Sequence, residues 1–142
     1  MGSGTHGRVW HTDEEGNIAF SFIINTNCDV KKLDNITIKI AQIIVEIFEK
    51  LYKIKLQIKE PNDIVFNGKK IGGILTESKI SGNTAKYIVV VIGINTNKQN
   101  FTQDIENIAS SIKKEFNIDV DRDKVIAMFC NMFEKEIDKR KE

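Results

Sequence analysis

The 142 residues contain one proline, Pro61, and two cysteines, Cys28 and Cys130. Without a C-x-x-C pair or a His/Cys cluster of ligand spacing, neither a disulfide framework nor a structural zinc site is expected, and a reducing cytoplasmic compartment fits. Long apolar runs are lacking too. The longest, Tyr87 to Ile92, falls far short of the roughly 20 residues a bilayer span needs, and no charged-then-apolar leader opens the chain. No membrane partner is expected. Met1-Gly2 does not make a myristoylation signal, because His6 stands where Ser or Thr is required. Charge of one sign is also missing: the formal net charge is only +1, which gives no general pull toward nucleic acid, so any cationic site has to be local. What remains, 41% hydrophobic and 29% charged residues, is the balance of a single globular domain able to bury a core.

The stretch KEPNDIVFNGKKIGGILTE, Lys59 to Glu77, carries the densest local signals. Lys55, Gln57 and Lys59 alternate with Ile54, Leu56 and Ile58, a half-buried strand that Pro61 breaks by removing a ladder donor. Asp63 to Phe66 follows as a second strand. Asn67-Gly68 is a two-residue hairpin turn, returning through Lys69 to Glu77. That turn predicts the pairs Phe66/Lys69, Val65/Lys70, Ile64/Ile71 and Asp63/Gly72. Asp63, Val65, Lys70 and Gly72 would then share one face, with Asp63 and Lys70 at a diagonal of roughly 7–8 Å, too far to pair directly. Gly72 and Gly73 in mid-strand mark a place where a ligand or another backbone comes close. On these residues alone, a ligand site and an ordinary solvated hairpin are equally good readings.

Gly2, Ser3, Gly4, Thr5, His6, Gly7, Arg8, Val9 and Trp10 open the chain. Converging amides and Arg8 suit a phosphate loop; the competing reading is a frayed or appended terminus. Asn17 to Asn25 is expected to be a strand, Thr26 to Asp29 a turn opening a helix over Lys31 to Lys53, and Ser81-Gly82-Asn83 a turn. Tyr87 to Ile94 is expected to be a strand buried on both faces, surfacing at Asn95-Thr96-Asn97. Ile105, Ile108, Ile112 and Phe116 predict a helix from Thr102 to Asn117. Asp121 caps a last helix, with Val120 and Val125 as a staple and Val125, Met128, Phe129, Met132, Phe133 and Ile137 on its buried side. No repeat or low-complexity linker interrupts the chain.

Taken together these blocks resemble the catalytic domain of biotin protein ligases. Gly2 to Trp10 is similar to that family's GRGRxGRxW loop, followed at the expected distance by Gly16-Asn17 and a strand ending in Ser21. Lys59 to Asp63 is similar to KWPND, Lys70 to Leu75 to K-x-x-G-I-L, and Gly93-Ile94-Asn95 to the end of GIGIN. Four positions depart from the pattern: Ser3 and Thr5 stand in place of arginines, Glu60 in place of tryptophan and Val91 in place of glycine. Loss of the second arginine would weaken retention of the reactive adenylate.

The resemblance implies an α+β fold, a mixed and mostly antiparallel sheet backed by helices of the class II aminoacyl-tRNA synthetase/biotin ligase type. Residues 1–142 would be part of the catalytic domain, with the family's Ser/Thr-Thr-Asn segment upstream and its small β-barrel domain downstream. It implies formation of biotinyl-5'-adenylate from biotin and ATP with Mg, then transfer to a lysine of a biotin carboxyl carrier protein domain. Lys70, Arg8 and Asp63 would be catalytic. Gly2, Ser3, Gly4, Thr5, Gly7, Arg8, Trp10, Lys59, Asn62, Asp63, Lys70, Gly72, Gly73, Gly93 and Asn95 would bind biotin or adenylate. Mg would enter with ATP near Asp63 rather than in a protein-built cluster. A lipoate ligase of the same fold and a non-catalytic binding module are the alternatives. An uncovered sheet edge invites pairing, so a homodimer stays open.

Overall fold

The computed structural model describes residues 16–142 in full and the backbone of residues 6–11. Six strands form one antiparallel sheet: β1 (His6–His11), β2 (Ile18–Asp29), β3 (Gln57–Lys59), β4 (Asp63–Phe66), β5 (Lys69–Ser81) and β6 (Thr84–Ile94), in the spatial order β1-β2-β6-β5-β4-β3. The helices are α1 (Ile36–Tyr52), the short α2 (Ile112–Phe116) and α3 (Arg122–Lys141). The α+β architecture, a mostly antiparallel sheet backed by helices, is the one expected.

Burial explains the layering. Along β2, Ile18, Phe20, Phe22 and Ile24 are buried and alternate with more open positions, the period of a strand with one covered face. α1 lies against β3, β4 and β5, α3 lies against β2, and the two helices pack on each other. Phe129 and Phe133 of α3 stack with centroids 5.4 Å apart and meet Phe20 and Phe22 edge-on at 5.7–6.3 Å. Such ring pairs add about 0.5–1.5 kcal/mol each beyond area burial. Asp121 caps α3 by accepting from the Lys124 amide, and Val120 and Val125 are both buried. Met128 and Met132 are half-buried against the core.

Several expectations give way. β6 is not buried on both faces: Ala85, Ile88, Val90, Ile92 and Ile94 are covered, whereas Tyr87 and Val91 are exposed, because both long helices lie on the same side of the sheet. Thr26 to Asp29 does not turn; β2 runs on to Asp29 past a register shift, with Asn27 at φ 45°. A 3-10 turn over Val30–Leu33 follows, with Asp29 accepting from the Lys31 amide, and Asn35 at φ 61° separates it from α1. The helix expected over 102–117 is confined to Ile112–Phe116, capped by Ser111. Its earlier residues form turns, and Ile108 is 62% exposed.

Candidate functional site

Asn67 and Gly68, at φ 50° and 75°, make the hairpin turn between β4 and β5, and the first two predicted pairs, Phe66/Lys69 and Val65/Lys70, are formed. There the ladder slips. A bulge shifts the register so that Ile64 faces Gly72 and Asp63 faces Gly73, correcting the expected Ile64/Ile71 and Asp63/Gly72 pairs. An extra residue in one strand re-aims side chains. Lys70 Nζ consequently lies 3.3 Å from Asp63 Oδ1, not across an unbridged diagonal. The bare floor beneath them is Gly73, where a Cβ would stand 3.4 Å from Lys70 Cε and Nζ and 3.8 Å from Asp63 Oδ1. Gly72 does not share that face. Its missing Cβ would be 2.6 Å from the Gly93 carbonyl, so glycine is required there for backbone approach between strands.

The register then draws one row across five strands, in which Lys59 faces Asp63, Asp63 faces Gly73, Gly73 faces Gly93 and Gly93 faces Ala19. Beside it lies the row Ser21, Val91, Leu75, with Val91 and Leu75 exposed. A cation and an anion therefore stand at the side of a small-residue strip next to an apolar patch, all on the face without helices. Asn62 joins through its backbone, its carbonyl accepting from the Ile74 amide at 3.0 Å.

The bulge also turns the backbone of Lys70 toward a partner outside the hairpin. Its amide donates to the Ile108 carbonyl at 2.8 Å and its carbonyl accepts from the Ser110 amide at 3.0 Å, a parallel bridge to Ala109. That requirement for an extended partner stops a helix from running through residues 102–110. Asn95 closes the arrangement: its amide donates to the Ile71 carbonyl at 2.8 Å and its Nδ2 to the Ser110 carbonyl at 3.2 Å. Ser110 and this bridging segment were not singled out from sequence, and Asn17 entered only as part of the Gly16-Asn17 block with no role assigned; the GG pair in mid-strand was the one signal of a bulge.

Of the remaining expected site residues, Gly7, Arg8 and Trp10 fall in β1, where Trp10 faces Ser21 in the ladder. The second half of the opening glycine-rich segment is thus a strand rather than a loop. Gly2, Ser3, Gly4 and Thr5 lie outside the described residues. Glu60, in place of the motif tryptophan, is exposed in the β3–β4 turn. No group of three or more His, Cys, Asp or Glu among the described residues is placed to hold a metal ion. Among these residues, no helix is long and apolar enough to cross a membrane. Cys28 and Cys130 are free thiols, and burial pushes the Cys130 thiol up to about 11.

The open face of the sheet thus carries an ion pair over a glycine floor beside exposed aliphatic side chains. In comparison with known proteins, residues 1–95 match the Biotin/lipoate A/B protein ligase family. The chain belongs to that family. It is 35% identical over 136 residues to the bifunctional ligase/repressor BirA of Bacillus subtilis, a match covering 94% of this chain and 42% of that protein. Its fold is similar to the biotin protein ligase of Aquifex aeolicus in complex with biotin and ATP, with a TM-score of 0.73 and 27% identity over 90% of this chain and 53% of that one. The LipL1 protein of P. falciparum in complex with lipoate shares the fold at a TM-score of 0.59 and 18% identity, over 89% of this chain and 36% of that one. The chain spans less than half the length of the curated relative it matches.

Proposed function

We propose that this chain carries the adenylating site of a biotin protein ligase, which condenses biotin with ATP and passes the biotinyl group to a lysine of a carboxyl carrier domain. The observation that carries the reading is the Lys70–Asp63 pair, 3.3 Å apart over Gly73 on the open face. A carboxylate oxygen of biotin attacks the α-phosphorus of ATP while the bond to the pyrophosphate oxygen breaks. Negative charge on the reacting phosphoryl oxygens grows beside the Lys70 ammonium, which is already held in place by Asp63 and by the backbone bridge to Ala109. The apolar body of the acid lies over Leu75 and Val91, and Gly73 and Gly93 leave room for it. In the second step the carrier lysine amine attacks the acyl carbon and AMP leaves, with Asn62 and Asp63 assigned to orient that amine or the metal. Arg8 and Lys59 supply further positive charge for phosphate. Asp63 suits Mg brought in with ATP, since this ion is usually held by one or two carboxylates together with substrate phosphates; it would neutralise phosphate charge there.

Val91 favours a second reading. It stands where the family motif has glycine and is 40% exposed in the middle of the patch, which narrows the floor and suits the slimmer chain of lipoate. Incubating the chain with ATP, Mg and an equimolar mixture of biotin and lipoate tests both. Biotinyl-adenylate as the dominant product supports the first reading and lipoyl-adenylate the second. Saturable binding of an acid without pyrophosphate release makes this chain a binding module.

A further inference from the structure

We infer that Asn17 is a positioning residue: its amide oxygen sits where an anion would in a backbone nest and thereby fixes Asn95 and the segment that holds Lys70. The inference rests on the proposed adenylating role of Lys70. Three successive amides, those of Thr96, Asn97 and Lys98, all donate to Asn17 Oδ1, at 2.9, 2.9 and 3.1 Å. Consecutive N–H groups converging on one point form the concavity that ordinarily takes an anion. Here the chain supplies the acceptor itself, from about eighty residues away.

The neighbouring contacts are of the same kind. Gly16, at φ 77°, accepts from Thr96 Oγ1 at 3.0 Å and Asn97 Nδ2 at 2.8 Å through its carbonyl. A Cβ on Gly16 would lie 2.9 Å from Asn97 Nδ2. Asn97 Oδ1 is buried without a partner among the described residues, so this side chain does not satisfy itself; its place is imposed by the Gly16-Asn17 corner. The Asn17 carbonyl in turn accepts from Arg122 at 3.3 Å, which ties the corner to α3.

From the nest the constraint runs to the site in short steps. Thr96 and Lys98 are the first and last residues of the nest, and their carbonyls accept from the Lys113 amide and the Ser111 hydroxyl at the start of α2. Asn95, one residue before the nest, donates to the Ser110 carbonyl, and the Ser110 amide donates to the Lys70 carbonyl. An unfilled nest would free residues 95–98 and, through Asn95 and Ser110, the backbone of Lys70.

Asn17→Ala, Asn17→Asp and a control, Thr26→Val, separate positioning from simple destabilisation. Thr26 is buried at the far end of β2, donating to the Ala85 carbonyl at 2.7 Å. The readouts are Tm, amide exchange over 95–98 and 108–112, and the rate and KM for ATP in adenylate formation. Asn17→Ala is expected to speed exchange in both segments and to cut kcat/KM by roughly tenfold or more, since small displacements of positioned groups are expensive. Asn17→Asp keeps an acceptor in the nest and stays within about twofold of the parent chain. Thr26→Val lowers Tm without changing exchange at 108–112 or KM. Unchanged exchange at 108–112 in Asn17→Ala overturns the inference, as does an equal loss of kcat/KM in Thr26→Val. Should the parent chain form no adenylate with either acid, the proposed function falls, and the exchange comparison still decides whether Asn17 positions the Lys70 segment.

Discussion

Gly72 and Gly73 are adjacent in sequence, yet adding one methyl to each should have opposite consequences. Neither has positive φ, so backbone strain does not enter. At Gly73 the nearest atoms to the new methyl would be side-chain ends that can shift, Lys70 Cε and Nζ and Asp63 Oδ1, at 3.4–3.8 Å. Alanine is favoured over glycine within a strand by about 0.5–1 kcal/mol. Losing the Lys70–Asp63 pair would cost no more, because half-exposed ion pairs of this kind contribute about 0–1 kcal/mol. The two nearly cancel, and Gly73→Ala should keep its Tm within about 4 °C, given roughly 2–4 °C per kcal/mol at this size. At Gly72 the methyl would lie 2.6 Å from the Gly93 carbonyl oxygen and 3.2 Å from Ile94 Cα. Both are backbone atoms of a central strand and cannot swing away, so Gly72→Ala should cost about 1–3 kcal/mol, as overpacking does. Function should rank the other way. The Gly73 methyl fills the floor beneath the reacting pair and should reduce pyrophosphate release by about a hundredfold, the effect of a displacement of about 1 Å. The folded fraction of Gly72→Ala should retain most activity. Thermal denaturation and an acid-dependent pyrophosphate assay on the two proteins settle it. A Gly73→Ala protein that is as destabilised as Gly72→Ala, or as active as the parent, refutes the placement of the site.

Lys70→Ala should lower adenylate formation by about 10²–10³-fold, the usual loss on removing a charge-stabilising donor, while changing stability by under about 1 kcal/mol; equal losses in stability and rate would remove its catalytic role. Phe133→Ala should destabilise by about 3–5 kcal/mol in denaturant unfolding, because the ring is fully buried between Phe22 and Phe129. The Cys130 thiol titrates near 11 in the folded chain against an ordinary value of 9.0. Its protonated form is thus favoured by folding, and the stability it contributes is complete below pH 9 and lost as pH rises from 9 toward 11. Cys130→Ala should flatten the fall in Tm over that window, and an unchanged slope would contradict the burial assigned to the thiol.

The hairpin, the long first helix and the capped last helix were legible because local chemistry specifies them: Asn67-Gly68 demands positive φ, and Asp121 finds the Lys124 amide whatever lies around it. The bulge was not legible as a register shift. Gly72-Gly73 signalled a close approach, but only the opposite strand reveals that the Gly93 carbonyl crowds one while the Lys70–Asp63 pair stands over the other. The two-sided burial expected of β6 failed for a similar reason. Tyr87, Val89 and Val91 have strand propensity irrespective of what covers them, and composition cannot tell a core from an exposed binding face. The segment 102–110 misled through its isoleucine spacing, since the decisive demand came from the unpaired backbone of Lys70, forty residues earlier.

With both long helices on one side of the sheet, the residues that hold the protein together and those on the proposed ligand face alternate along the same strands. Ile92 and Val91, or Ile74 and Leu75, are neighbours in sequence but lie on opposite faces, one buried and one exposed. Substitutions at Ser21, Leu75, Val91 or Gly93 would alter the proposed ligand platform without changing a residue of the buried core. On the proposed function, such a sheet would let single exposed changes shift the acid it takes while the fold stays intact.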